Sequence, residues 1–129
     1  MREKDLAPLV RLAGVSCDAA EARLASLRRE EAELRRQIEA LETARRLRAS
    51  EALATDVALR AGADLRWEGW IDKRASALNG ELARVLAKIE MARDDLARAF
   101  GRRSATQALL DQARDVATAR RHRTEERGW

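Results

Sequence analysis

Residues 15–61 contain neither proline nor glycine, and apolar side chains recur through them every three or four positions. A stretch of 47 residues with that period describes one uninterrupted amphipathic helix, about 70 Å long at roughly 1.5 Å per residue. A helix of that length cannot cover its own apolar stripe. It requires a partner surface equally long, and the second half of the chain supplies one.

Composition agrees. Charged residues make up 37% of the 129 positions and aromatics only 3%, with no tyrosine. Ala, Arg, Leu and Glu dominate, and all four favour helix. High charge also fits disorder, but disorder does not sustain an apolar period. The mixture is that of a coiled coil or long helix.

Pro8 fits a first helical turn, so the first helix is expected over about residues 6–60. One set of its seam positions is Val10, Cys17, Leu24, Glu31 and Ile38. The other is Leu6, Ala13, Ala20, Leu27, Leu34 and Leu41. The alternating spacing of three and four marks a helix that meets its partner along a narrow stripe. Glu31–Arg35 and Glu42–Arg46 stand four apart with the acid first, the orientation that supports a helix. Beyond Leu41 the frame puts Arg45 and Arg48 on the seam, and the apolar positions move to Ala49, Leu53 and Val57. That shift reads as a stutter.

Arg60–Leu65 carries the strongest stop signal. Gly62 suits the left-handed residue that ends a helix, and Asp64 suits the cap of the next. The expectation is a turn at about 61–65, a second helix over about 66–120 and a frayed basic tail at 121–129. The second seam runs Ala75, Leu82, Ile89, Leu96, Arg103, Leu110, Ala117, alternating with Ile71, Leu78, Val85, Ala92, Ala99, Thr106, Ala113. Gly80 and Gly101 fall on its outermost position. Folding about residues 62–66 pairs positions whose numbers add to about 130. Leu27 then faces Arg103, Leu34 faces Leu96, Ile38 faces Ala92 and Leu41 faces Ile89. Glu31 falls about one turn from Arg103 across the seam. The expected fold is all-α, a single domain over residues 1–129 built as a long two-helix antiparallel coiled-coil hairpin.

Chemistry-bearing motifs are absent, and no enzyme is expected. His122, the only histidine, sits among tail arginines. No Cys/His spacing suits a metal, and Gly62, Gly69, Gly80 and Gly101 are too scattered for a phosphate loop. No catalytic residue, cofactor or metal is therefore assigned. Cys17 is the only cysteine, so no internal disulfide forms. No apolar run approaches the roughly 20 residues of a membrane span, and residues 1–15 lack the apolar segment of a secretory signal. A cytoplasmic protein, monomeric when free, is expected.

The net charge is +4, and 23 of the 26 basic residues are arginine. Residues 98–127 hold eight Arg against four acids, which points to an acidic partner surface or to a solvated helix face. Arg102–Arg103 and Arg120–Arg121–His122–Arg123 are local basic runs. A DNA-binding zipper carries a denser basic block ahead of its heptads, so nucleic acid is not the expected partner. Trp67 flanks the seam and reads as packing at the hairpin tip. Trp70 falls outside the seam and reads either as packing or as a binding anchor. Arg74, four residues on, belongs with Trp70 as a partner-binding candidate, and Trp129 is terminal.

The long first helix, the mid-chain break, Arg66–Trp67 and Trp70–Ile71 carry a family likeness. So do Ala99–Phe100–Gly101–Arg102–Arg103 and the basic tail. In these features the chain resembles the FliJ-like stalk proteins of type III secretion and flagellar export ATPases. It is at the short end for that family, with fewer glutamines and aromatics on the first helix. The resemblance implies a coiled coil like that of the rotary ATPase gamma subunit. Its paired termini would enter the hexameric export ATPase, and its tip would reach the membrane-embedded export gate. It further implies promotion of ring assembly, coupling of hydrolysis to the gate and escort of export chaperones. By that likeness Trp70 and its neighbours would meet the gate, and the Arg-rich end the ring. The other readings are a coiled-coil scaffold or chaperone and a nucleic-acid-binding coiled coil.

Overall fold

The computed structural model describes residues 1–52 and 57–128. Two helices run through them, α1 over Glu3–Ala52 and α2 over Val57–Arg127, and they pack against each other as an all-α hairpin. No strand occurs among the described residues.

α1 begins earlier than Pro8 suggests. The Arg2 carbonyl accepts bonds from the N–H groups of Asp5 (3.0 Å) and Leu6 (3.1 Å). Glu3 and Asp5 lie in the first turn, where negative charge complements the positive end of the helix dipole. Pro8 therefore stands in the second turn, and its missing N–H deprives the Lys4 carbonyl of its usual helical donor.

α2 also begins earlier than expected. Gly62 and Asp64 lie inside the helix, and no described glycine has a positive φ. The expected turn at 61–65 is therefore displaced. Residues 53–56 and Trp129 lie outside the described residues. The expected seam position Leu53 is among them. A glycine inside a helix costs only about 1 kcal/mol relative to alanine, which continued packing from Asp64 onward offsets. A Cβ added at Gly62 would meet nothing within 4 Å. Gly62→Ala is thus expected to stabilise the helix by roughly 0.5–1 kcal/mol, raising the thermal midpoint followed by circular dichroism. A glycine holding a left-handed stop would give the opposite sign.

At its other end α2 runs on to Arg127, so the tail expected to fray is helical. Arg127 in the last turn suits the negative end of the dipole. The Gly128 N–H closes the helix on the carbonyls of Thr124 (3.1 Å) and Glu125 (3.2 Å).

The helix pair divides into two compact units, Met1–Ala25 with Met91–Trp129 and Ser26–Glu90. In the middle unit, Ser26–Glu90, the two arms run antiparallel. Leu27, Leu34, Ile71, Leu78, Val85 and Ile89 are buried, with Ile38, Leu41, Ala75 and Leu82 half-buried beside them. These are the seam positions expected from the heptads. In the terminal unit the buried residues are Leu6, Cys17, Ala92, Ala99 and Leu110. Again they lie on the expected seam, here built mostly from small side chains.

The register is not the expected one. Gln37 accepts a bond from Arg74 (3.3 Å) where folding about Gly62 would set it against residue 93. Arg45 meets Asp72 (2.8 Å) rather than residue 85. In the terminal unit Glu3 meets Arg114 (3.2 Å) rather than residue 127. The displacement is about four to five helical turns. The expected pairings of Leu27 with Arg103, Leu34 with Leu96, Ile38 with Ala92 and Leu41 with Ile89 go with it. Glu31 instead pairs along its own helix with Arg35 (2.8 Å). Arg103, expected on the seam, is exposed.

Candidate partner-binding surfaces

In the middle unit the first position of the expected stutter is not on the seam, and its other two, Leu53 and the Val57 side chain, lie outside the described residues. Ala49 is exposed, while Ala44, Arg45 and Arg48 hold the half-buried seam positions. The physical reason lies on α2, where Asp64, Glu68 and Asp72 stand four residues apart and so share one face. Arg48 pairs with Asp64 at 3.0 Å and Arg45 with Asp72 at 2.8 Å. The buried Nε of Arg45 has no hydrogen-bond acceptor. Glu68 lies 3.9 Å from it, a Coulombic contact beyond hydrogen-bond reach. Two arginines that look misplaced on a seam are thus neutralised across it.

Trp67 stands three residues after Asp64 and is half-buried. The Arg48 guanidinium lies over its ring, 4.6 Å from the centroid, a cation–π contact. Trp67 is accordingly part of the packing between helices. Trp70 is different, being 58% exposed. Arg66 and Arg74 stand four residues to either side of it and Lys73 three beyond, so helical spacing frames the ring with cations. The Arg74 guanidinium donates to the Gln37 side chain across the helices. The surface suits an acidic partner that offers an apolar contact to the ring.

A shallow groove in the same unit runs between Arg29, Glu33, Leu34, Arg84, Val85 and Lys88. Glu33 accepts bonds from Arg36 (2.6 Å) and Gln37 (3.3 Å). The Arg36 bond first, then the Gln37 bond and the Arg36 charge, hold its carboxyl below the ordinary value. The groove is an open surface with charged walls.

In the terminal unit Arg102, Arg103, Arg120, Arg121 and Arg123 are all exposed on α2. The Thr106 hydroxyl reaches back to the carbonyls of Arg102 (2.9 Å) and Arg103 (3.0 Å). The pair at 102–103 and the run at 120–123 are separate sites, about 26 Å apart along the helix. Arg120 borders a groove with Met1, Glu3, Leu6, Leu109 and Val116, so the basic run adjoins apolar surface from both ends of the chain.

Two features of the structure go beyond the sequence pattern. The ladder of Arg45 and Arg48 against Asp64 and Asp72 was signalled by arginines on one seam and acids at fourfold spacing on the other arm. The outward apolar side of α1, Leu12 and Val15, was signalled by residues 6–17 carrying a single charge. Among the described residues no group of His, Cys, Asp or Glu is arranged to hold a metal ion. No described helix is long and apolar enough to cross a membrane. Comparison with known proteins finds no family model, no curated protein and no solved structure that matches this chain.

Proposed function

We propose that the chain is a non-enzymatic stalk of a type III protein export ATPase, acting in the cytoplasm beside a membrane-embedded export apparatus. In this reading it promotes assembly of the hexameric ATPase, contacts the export gate and receives export chaperones. The observation that carries the reading is the antiparallel pairing of the terminal unit. Glu3 stands beside Arg114, and α2 continues past it with Arg120, Arg121 and Arg123 exposed. Paired termini that end in basic helix are the form a stalk needs to enter an acidic ring, and the attraction would be salt-sensitive. Trp70 and Arg74 are the candidate gate contacts, with Trp67 supporting them from within the helix pair.

The test is hydrolysis by a purified export ATPase with and without the protein. Stimulation is expected, and Arg120→Glu, Arg121→Glu and Arg123→Glu together should abolish it while helicity stays intact. Stimulation by the triple variant equal to that by the wild type would remove the basic end from the account. No stimulation by either would remove the ATPase. A second reading, a scaffold that binds partner helices, is favoured by the exposed Leu9, Leu12 and Val15 of α1, at 41%, 65% and 65% exposure. It predicts capture of amphipathic helices with no effect on hydrolysis.

A further inference from the structure

The amino-terminal part of α1 is apolar on two sides. Its inward side is Leu6, Val10, Ala13, Cys17, Ala20 and Leu24, all buried or half-buried. Its outward side is Pro8, Leu12, Val15, Ala19 and Ala22, all exposed. The outward residues repeat the same alternation of three and four, displaced by two positions. At about 100° per residue that places them some 200° around the helix, opposite the arm that α2 covers. A helix that is apolar all round belongs in an interior, and residues 6–17 carry only Arg11 as charge in a chain that is 37% charged. Within the terminal unit the inward seam is short of bulk, since Cys17, Ala92 and Ala99 form much of its core. Further burial on the outward side would add what this seam lacks.

We propose that this outward stripe pairs with the same stripe of a second copy of the chain, antiparallel about a two-fold axis that passes between Leu12 and Val15. Leu12 of each copy then packs on Val15 of the other, and Pro8 on Ala19. Charge selects a second copy as the occupant. Arg11 and Asp18 lie on one flank of the stripe, and Asp5 and Arg23 lie towards the other. None of the four has an ion-pair partner among the described residues. The two-fold sets each Arg11 opposite Asp18 of the other copy, and brings Asp5 within a turn of Arg23. Such an interface is self-complementary, as an isologous contact must be. α2 lies on the far side of α1 and does not obstruct it. The pairing departs from the expectation of a free monomer, and it stands whether or not the chain serves an export ATPase.

Sedimentation of the full chain from about 1 μM to about 1 mM tests it. Wild type should pass from monomer to dimer across that range. Leu12→Asp with Val15→Asp changes two exposed positions, so helicity should hold while the dissociation constant rises at least about tenfold. Arg11→Asp alone should weaken the dimer several-fold, and Arg11→Asp with Asp18→Arg should restore it. A wild type that stays monomeric throughout would overturn the proposal. So would a dimer indifferent to the Leu12 and Val15 changes, or one that the double charge exchange fails to restore.

Discussion

Leu78→Ala is expected to remove most of the stability of the middle unit. Leu78 is 1% exposed and sits on the seam between Ile71, also 1% exposed, and Val85. Truncating a buried leucine costs about 2–5 kcal/mol, through lost transfer energy and the cavity that remains. In a compact domain neighbouring layers collapse partly into such a hole. A seam between two helices has no further layer to supply that relaxation, so the cost should fall at the upper end. Only eleven apolar side chains are buried among the described residues, which leaves little reserve against a typical total of about 5–15 kcal/mol. Urea unfolding followed at 222 nm should show the midpoint collapse for Leu78→Ala. Phe100→Ala, at a position 59% exposed, should stay within about 0.5 kcal/mol of wild type. Equal midpoints for the two variants would mean that the seam does not hold the helices together.

The seam itself was legible because side-chain period and helix geometry are one fact. Every expected apolar seam position from Leu6 to Leu41, and from Ile71 to Ala117, is buried or half-buried. Register was not legible, for the same reason. A heptad pattern repeats, so sliding one arm past the other by whole heptads again sets apolar against apolar. What distinguishes one slide from another is charge, and here Arg45 and Arg48 find Asp72 and Asp64. By pattern alone Arg45 and Arg48 read as a fault in the seam, yet they make the charged contacts between the arms.

Local propensity alone puts a break at 61–65, and packing carries α2 through it. Gly62 with Asp64 looks like a stop and a cap, yet both lie inside α2. A helical glycine is a small penalty beside the ion pairs and the Trp67 contact that follow it. The candidate sites were partly legible. The exposure of Trp70 follows from its distance from the seam, whereas Arg103 is exposed although the heptads place it on the seam. Trp67 needed the position of Arg48 to show that its ring is part of the packing.

The alignment of the two arms is the claim on which the positions of these surfaces depend. The middle unit allows it to be measured directly, with spin labels at Gln37→Cys and Arg74→Cys in a Cys17→Ala background, diluted with unlabelled protein. Helices in contact lie about 8–10 Å apart, so facing labels should give a separation of about 10–20 Å. A fold about Gly62 would set position 37 against 93 and move position 74 some 19 residues along the helix, giving about 30 Å. The short distance is the predicted result. A separation near 30 Å would contradict the register, and with it the ladder of Arg45 and Arg48.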